Sequence, residues 1–343
     1  MKAWGLILSA LVLVCTGCVC TGCAATVSAR PPDPDMQISP RLPDPPNFDR
    51  AGVDVIRGFF APGRQPDGNT VILASAGGLI VFDTGRHADH AQKIADIARS
   101  HDAPVLAIIN SHWHLDHISG NIPLRKMWPG ATVYSNDAAL TDALGSFLAR
   151  GLESNRTMAA DPATPPALAD DLRGDIVTVE QGALLHPGIS VEGPVTLNIA
   201  GRVLQLHTAS AASAGDIWLY DPAARLIASG DLVTLPAPFL DTACPAKWSA
   251  ALEDVLAQPF ERLVPGHGRE MTRADVMLYR DAFNALLRCA ASDAEASACA
   301  EAWAGSIGSL LDDQSGDAVA AKAYAGYYAG LLRQPGARPV WCA

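Results

Sequence analysis

The sequence predicts a mixed α/β fold with two sets of strands and a helical C-terminal region. The first set consists of short apolar runs that are typical of buried strands, at 53–60, 70–75, 78–83 and 105–109. The second set has the same pattern and lies further along the chain, at 194–199, 202–207, 216–220 and 225–229. Beyond Thr272 the apolar residues recur with helical spacing. We therefore expect two sheets and a helical extension.

Helices are predicted between and after these strands, at 89–99, 119–128, 137–148, 247–257, 273–290, 294–304 and 317–332. A further strand is predicted at 262–264. From Gly151 to Pro187 the pattern weakens, and several prolines indicate a loop. Long inserts without regular structure are usually either functional covers or simply mobile, and both interpretations stay open. His87 and His90, at the start of the first helix, are expected to be surface residues.

The N-terminus has the features of an export signal. A charged start precedes an apolar run at 3–14, and about 12 apolar residues are too few to span a bilayer comfortably. Cys18 and Cys23 each follow Thr-Gly, which resembles the approach to a bacterial lipoprotein cysteine, while cleavage after Ala29 is the alternative. Residues 30–50 are rich in proline and indicate a tether. We expect an exported protein, either periplasmic or lipid-anchored to a bacterial membrane.

Composition and charge limit the domain count and the partners. The chain beyond the tether is long enough to bury a sizeable core, with no clear division into independent domains. We predict a signal at 1–29, a tether at 30–50, a main domain at 51–271 and a helical extension at 272–343. The formal net charge of -11 disfavours nucleic acid, because phosphate binding needs a basic surface. A small-molecule substrate is expected, and the membrane would be contacted only through an N-terminal lipid anchor.

A cluster of metal-type side chains follows the strand predicted at 105–109. His112, His114, Asp116 and His117 lie within six positions, in H-x-H-x-D-H order. Imidazole nitrogens and carboxylate oxygens are ligands of zinc, and a loop at a strand end can aim several of them at one point. The alternative is a polar loop that caps the next helix. The density of ligand-type residues favours a metal site.

This motif resembles the signature of the metallo-β-lactamase-fold hydrolase superfamily. Three other segments resemble that family's landmarks and occur in the same order. They are Gly78–Gly85 with Asp83, Ala228–Val233 with Asp231, and Leu263–Gly268 with His267. The resemblance covers roughly residues 52–270 and implies a four-layer αββα sandwich, to which the C-terminal helices would be an appendage.

The resemblance also implies a ligand set for two metal ions. Asp116, His117 and His267 would bind the second ion, with Asp231 bridging the two, and Asp83 would support a ligand histidine. The first ion would keep only His112 and His114, because the position at which the family has a third histidine is Ala212. His207 is the nearest substitute, but it ends an apolar strand and is expected to have a structural or supporting role.

The function implied by the resemblance is metal-dependent hydrolysis of an ester, thioester, amide or lactam by metal-bound hydroxide. Asp116 would orient the attacking water. Zinc, as one or two ions, is the leading metal, with iron or manganese as alternatives because the site has no thiolate. The sequence is also similar to exported metallohydrolases associated with quinoprotein systems. The alternative is a non-catalytic or weakly metal-binding exported accessory protein, in which Ala212 marks a degraded site.

Four cysteines lie in or near the C-terminal region. In an exported domain they indicate two disulfides. We predict the pairs Cys289–Cys299 and Cys244–Cys342, and the sequence leaves the other two pairings open.

Overall fold

The computed structural model describes residues 49, 51–59, 63–311, 317–334 and 342. The predicted signal and, apart from Asp49, the predicted tether lie outside the described residues. Within the described ranges, no helix is both long enough and apolar enough to cross a membrane.

The first sheet has six strands in chain order. They are β1 (Val53–Ile56), β2 (Thr70–Ser75), β3 (Gly78–Phe82), β4 (Val105–Ile109), β5 (Thr132–Ser135) and β6 (Ile189–Ser190). The first three are antiparallel, and the pairs from β3 to β6 are parallel. Parallel neighbours need a crossover, which helix α1 (Ala88–Ser100) provides between β3 and β4.

The second sheet also has six strands, in the order β12-β11-β10-β9-β8-β7. They are β7 (Val195–Ile199), β8 (Arg202–Ala209), β9 (Asp216–Asp221), β10 (Leu226–Ala228), β11 (Arg262–Val264) and β12 (Met271–Thr272). All neighbours are antiparallel except β10 and β11, which are parallel. Both predicted sets of strands are thus present in the structure.

Alternation along the strands builds the layers, because successive side chains point to opposite faces of a sheet. On β3, Ile80 and Phe82 face the second sheet, while Val81 packs against α1. On β9, Leu219 lies between the sheets, while Trp218 faces the helices of the other side. Two sheets packed face to face and covered by helices on both sides form the predicted αββα sandwich.

Helices α2 to α6 follow the first strands of the chain. They are α2 (Leu115–Ile118), α3 (Asn121–Met127), α4 (Asp137–Gly145), α5 (Phe147–Ala160) and α6 (Pro166–Glu180), and a short 3-10 helix follows at Gly182–Leu184. The loop predicted from Gly151 to Pro187 is therefore wrong. Pro162 and Pro165 lie in the connection between α5 and α6, Pro166 lies in the first turn of α6, where proline does not break a helix, and Pro187 lies after the 3-10 helix.

The remaining helices form the outer layer on the second sheet. They are α7 (Pro245–Ala257), α8 (Arg273–Ala290), α9 (Ala296–Ile307) and α10 (Asp317–Leu331), with bounds close to the predicted ones. Phe283, Trp303 and Tyr328 are buried in one core cluster with Trp218 and Trp248, so the C-terminal helices share the hydrophobic core of the sandwich. The structure contains the disulfides Cys289–Cys299 and Cys244–Cys342, in agreement with the predicted pairing.

Candidate metal centre

The predicted metal-binding motif lies in the loop after β4 and in α2. Three buried polar side chains support this loop. Asn121 Nδ2 donates to Asn110 Oδ1 at 2.7 Å, and Thr84 Oγ1 donates to Asn121 Oδ1 at 2.9 Å. A Cβ at Gly120 would collide with the carbonyl oxygen of Thr84, so only glycine lets α3 approach so closely. Gly120 therefore allows α3 to pack closely beneath the metal-binding loop.

Three side chains form what we call the first ligand group: His112, His114 and Asp231. Their ligand atoms all lie within 4.8 Å of one another. His112 Nε2 is 2.8 Å from His114 Nδ1 and 3.7 Å from Asp231 Oδ2. This group has two imidazoles and one carboxylate.

Three further side chains form the second ligand group: Asp116, His117 and His267. Asp116 Oδ2 is 3.0 Å from His267 Nε2 and 3.8 Å from His117 Nε2. Asp231 also reaches this group, because its Oδ1 is 3.4 Å from His117 Nε2 and 3.6 Å from His267 Nε2. A Cβ at Gly266 would collide with the Asp231 carboxylate, so this residue must be glycine. Asp231 therefore lies between the two groups.

Asp83 orients a histidine of each group. It has φ 60°, which is uncommon for a residue other than glycine, and its carboxylate accepts from Ser111 Oγ at 2.7 Å and from His117 Nδ1 at 2.8 Å. Ser111 uses its only hydrogen toward Asp83, so it must accept from His112 Nδ1, 2.8 Å away. With hydrogen on Nδ1, the Nε2 lone pair of His112 points to His114 Nδ1. Asp83 thus contacts His117 directly and reaches His112 through Ser111.

The residues of the two groups fit divalent cations. His117 Nε2 and Asp231 Oδ1 are both buried and have no hydrogen-bond partner among the described residues. Burial by itself would lower the pKa of His117, but the carboxylates of Asp231, Asp83 and Asp116 raise this pKa well above its usual value. Buried carboxylates need compensating positive charge. A cation held by Nε2 would supply it in place of the proton.

Arg86 connects the second group to helix α6. Its Nη2 lies 3.6 Å from Asp116 Oδ1, and its Nη1 pairs with Asp175 of α6. Burial by itself would raise the pKa of Asp116, but the charges of His117 and Arg86 and the hydrogen bond from His267 hold it well below its usual range. Asp116 is therefore a carboxylate at neutral pH.

A second contact between α6 and the loop after β3 lies at His87. His87 Nδ1 is 2.8 Å from Asp67 Oδ2, and His87 Nε2 is 3.0 Å from Asp171 Oδ1 of α6. Burial would lower the pKa of His87, but the two carboxylates raise it. His87 is half-buried, whereas His90 is buried and contacts Thr70 Oγ1 at 2.8 Å. The expectation that both histidines lie on the surface is wrong, because both meet buried polar partners.

The loop that carries Ala212 joins β8 to β9 and is linked to the first ligand group through Thr242. Thr242 Oγ1 lies 3.0 Å from both the Ala212 carbonyl oxygen and His114 Nε2. Asp216 accepts hydrogen bonds from Ala211 N at 2.8 Å and Ser213 N at 2.9 Å, which fixes the loop. Burial raises the pKa of Asp216 to about 7. His207 belongs to neither ligand group, and its ring stacks on Trp218 at 3.9 Å. The structure therefore gives His207 a packing contact.

Sequence reasoning missed several residues that support the centre. Ser111 orients His112, Arg86 and Asp175 form a buried pair beside Asp116, and Thr242 contacts His114 Nε2 at 3.0 Å. Ser111 could have been found, because it lies next to His112 in the motif. Asp175 and Thr242 come from segments that are distant from the motif in the sequence, so no local pattern points to them.

The αββα sandwich and the His/Asp centre define the class of protein. It is an αββα-sandwich protein whose candidate metal centre lies in loops that follow strands. A family model described as Metallo-beta-lactamase superfamily matches residues 63–267. The chain therefore belongs to the metallo-β-lactamase superfamily, as its motif predicted.

Individual relatives include sulfatases and lactamases. The linear primary-alkylsulfatase of Pseudomonas sp. (strain ATCC 19151) is 29% identical over 236 residues, which are 60% of this chain and 43% of the relative. The chain thus spans less than half the length of this relative. Among solved structures, a stereoselective inverting sec-alkylsulfatase from Pseudomonas sp. has a TM-score of 0.57 and 16% identity, covering 83% of this chain and 50% of its own.

A lactamase structure is similar as well. The metallo-beta-lactamase from Pontibacter korlensis has a TM-score of 0.51 and 16% identity, with 68% of this chain and 94% of that chain covered. At these identities the likeness of both solved structures concerns the fold.

Proposed function

We propose that this protein is a metal-dependent hydrolase of a small molecule with an ester, thioester, amide or lactam bond. One observation carries the proposal: six imidazole and carboxylate side chains converge in two ligand groups that share Asp231. Members of the superfamily such as the sulfatase and lactamases above are hydrolases. Zinc is the proposed metal, and iron or manganese would suit the same nitrogen and oxygen donors.

The residues of the centre divide the work. His112 Nε2, His114 Nδ1 and Asp231 Oδ2 would hold one ion, and Asp116, His117 and His267 would hold another. A bound ion would lower the pKa of a water molecule toward neutrality and polarise the bond to be cleaved. Asp116 keeps its negative charge at neutral pH, so it can accept a hydrogen bond and orient the attacking water. Arg86 holds the other oxygen of the same carboxylate.

The choice of substrate is guided by the relatives. The name of the Pseudomonas relative adds alkyl sulfates to the esters that a substrate screen should contain, although fold likeness by itself does not select a substrate.

We also propose that the protein is exported and periplasmic or lipid-anchored. The two disulfides support this compartment, because such bonds persist where the environment is oxidising.

The test is elemental analysis of protein purified without chelator, followed by a screen of esters, thioesters, lactams and alkyl sulfates. We expect one to two metal ions per chain and hydrolysis of at least one class. His267→Ala should lower both metal content and activity. His186→Ala is the matched control, because His186 is a partly exposed histidine that pairs with Asp137 outside both ligand groups. Essentially no metal in the wild-type protein would contradict the proposal.

The second candidate function is a non-catalytic exported accessory protein. Ala212 favours it, because the first ligand group has only two imidazoles and a carboxylate shared with the second group. Under this alternative, the protein binds metal weakly and hydrolyses none of the substrates. Metal content near one or two equivalents together with measurable turnover would contradict it.

A further inference from the structure

Thr242 makes two polar contacts that together decide the direction of its hydrogen bond. Its Oγ1 lies 3.0 Å from the carbonyl oxygen of Ala212 and 3.0 Å from His114 Nε2. A hydroxyl has one hydrogen, and a carbonyl oxygen can only accept. Thr242 therefore donates to Ala212 and must accept from the Nε2–H of His114.

This direction fixes the tautomer of His114. A neutral imidazole carries one N–H, so hydrogen on Nε2 leaves the lone pair on Nδ1. His114 Nδ1 points to His112 Nε2 at 2.8 Å, and that atom also has its lone pair exposed because His112 Nδ1 donates to Ser111. Two lone pairs that face each other repel, and a cation bound by both removes the repulsion.

The segment that carries Thr242 is held by the C-terminal helices. Tyr328 on α10 donates to Asp241 Oδ2 at 2.9 Å, and Trp303 Nε1 on α9 donates to the carbonyl oxygen of Pro236 at 2.9 Å. Two residues after Thr242, Cys244 forms the disulfide with Cys342. Both ends of the segment are thus fixed by residues far along the chain, and Thr242 is itself buried.

We propose that Thr242 is a positioning residue for the first ligand group, held in place by the C-terminal helices. It keeps His114 in the tautomer whose Nδ1 can bind a cation, and it does so beside Ala212, where the third imidazole is absent. This inference rests on the proposed metal-dependent function. It assigns to the C-terminal helices a part in building the metal centre.

The test is a titration of metal-free protein with Co²⁺, in which binding is monitored by the absorption spectrum of the bound ion. Thr242→Val removes the hydroxyl and keeps the shape, whereas Thr242→Ser keeps the hydroxyl. We expect the wild type to bind Co²⁺ in two steps of different affinity. Thr242→Val should lower the affinity of the weaker step by about 10- to 100-fold, as for other groups that support a ligand histidine. The tighter step should not change, and Thr242→Ser should resemble the wild type.

The outcomes separate this inference from the proposed function. Equal Co²⁺ binding in two steps by Thr242→Val and the wild type would overturn the role of Thr242 and leave the metal centre intact. Absence of Co²⁺ binding by the wild type would overturn both. If Thr242→Val does not fold, Tyr328→Phe tests the same link: the inference predicts a smaller weakening of the same step, and unchanged binding would overturn it.

Discussion

The two ligand groups contain the same kinds of side chains but differ in the number of donors that belong to one group alone. The second group has Asp116, His117 and His267 of its own. The first has His112 and His114, and depends for its third donor on Asp231, which also lies 3.4 Å from His117 Nε2. Catalytic zinc usually has three protein ligands. Two sites that draw on one short motif therefore need not bind metal equally, and we expect the first to bind it more weakly.

The support behind each group differs as well. Asp116 is held by Arg86, and through Arg86 by Asp175 of α6. His114 is held by Thr242, and through its segment by the C-terminal helices. Each group therefore has its own supporting element outside the motif. Variants can test the two groups separately, beginning with the residue that they share.

Removal of the shared carboxylate should have the largest effect. Asp231→Asn removes a charged donor that the first group needs and that also reaches the second group, which keeps Asp116, His117 and His267. We therefore expect less than one equivalent of metal per chain. We also expect a fall in kcat/KM of more than about 100-fold, which exceeds the loss for residues that only support a ligand. Elemental analysis and steady-state kinetics check this. If the variant retained one full equivalent of metal, Asp231 would serve one group only, and the shared position would be wrong.

Addition of the absent imidazole should reduce the difference in metal affinity between the two groups. Ala212→His would give the first group a third nitrogen, and we expect its metal affinity to rise about tenfold, equivalent to ~1.4 kcal/mol. Metal titration measures the change. Ala212→Leu is the matched control for the added volume, because overpacking a buried site costs about 1–3 kcal/mol of stability. An equal affinity in the two variants would mean that the first group needs no third imidazole.

Loss of Arg86 should destabilise the protein and disturb the second group. Arg86→Met leaves Asp175 buried without its partner, and breaking a buried pair costs about 3–5 kcal/mol in the free energy of unfolding. Arg173→Met is the control, since Arg173 pairs with Asp170 on the surface of the same helix and such pairs contribute about 0–1 kcal/mol. Urea unfolding compares the two. An equal loss in the free energy of unfolding would show that the Arg86–Asp175 pair contributes no more to stability than the surface pair.

The smallest effect is expected from His87, which lies further from the ligands. Asp67 and Asp171 raise the pKa of His87 above its unfolded value, so protonated His87 stabilises the fold below about pH 6.5. This contribution is lost as the pH rises through the folded pKa. Unfolding free energies between pH 6 and 9 should therefore fall more steeply in the wild type than in His87→Gln. Parallel curves would contradict the contribution, and His186→Gln controls for a more exposed histidine.

The fold could be predicted because short apolar runs and helical spacing are local patterns, and four candidate ligands could be proposed because they lie in one short motif. Strands such as β3 and β9 show directly as short apolar runs, and His112 to His117 lie within one short segment. Helices α5 and α6 were missed because the prolines between them were read as signs of a loop, and because few of their residues are buried.

The supporting contacts could not be predicted for a different reason. Arg86 and Asp175 are 89 residues apart, and His114 and Thr242 are 128 residues apart. Such contacts form only when the layers pack together, and no local sequence pattern predicts them. His87 was expected on the surface for the same reason, since its partner Asp171 lies on the helix that was missed.

The inequality of the two ligand groups is tested most directly by titrating metal-free protein with Zn²⁺ in a calorimeter. We predict two binding steps, with the tighter step abolished by His267→Ala and the weaker step retained in that variant. A single step with two equivalent sites would contradict the account, and so would a tighter step that survives His267→Ala.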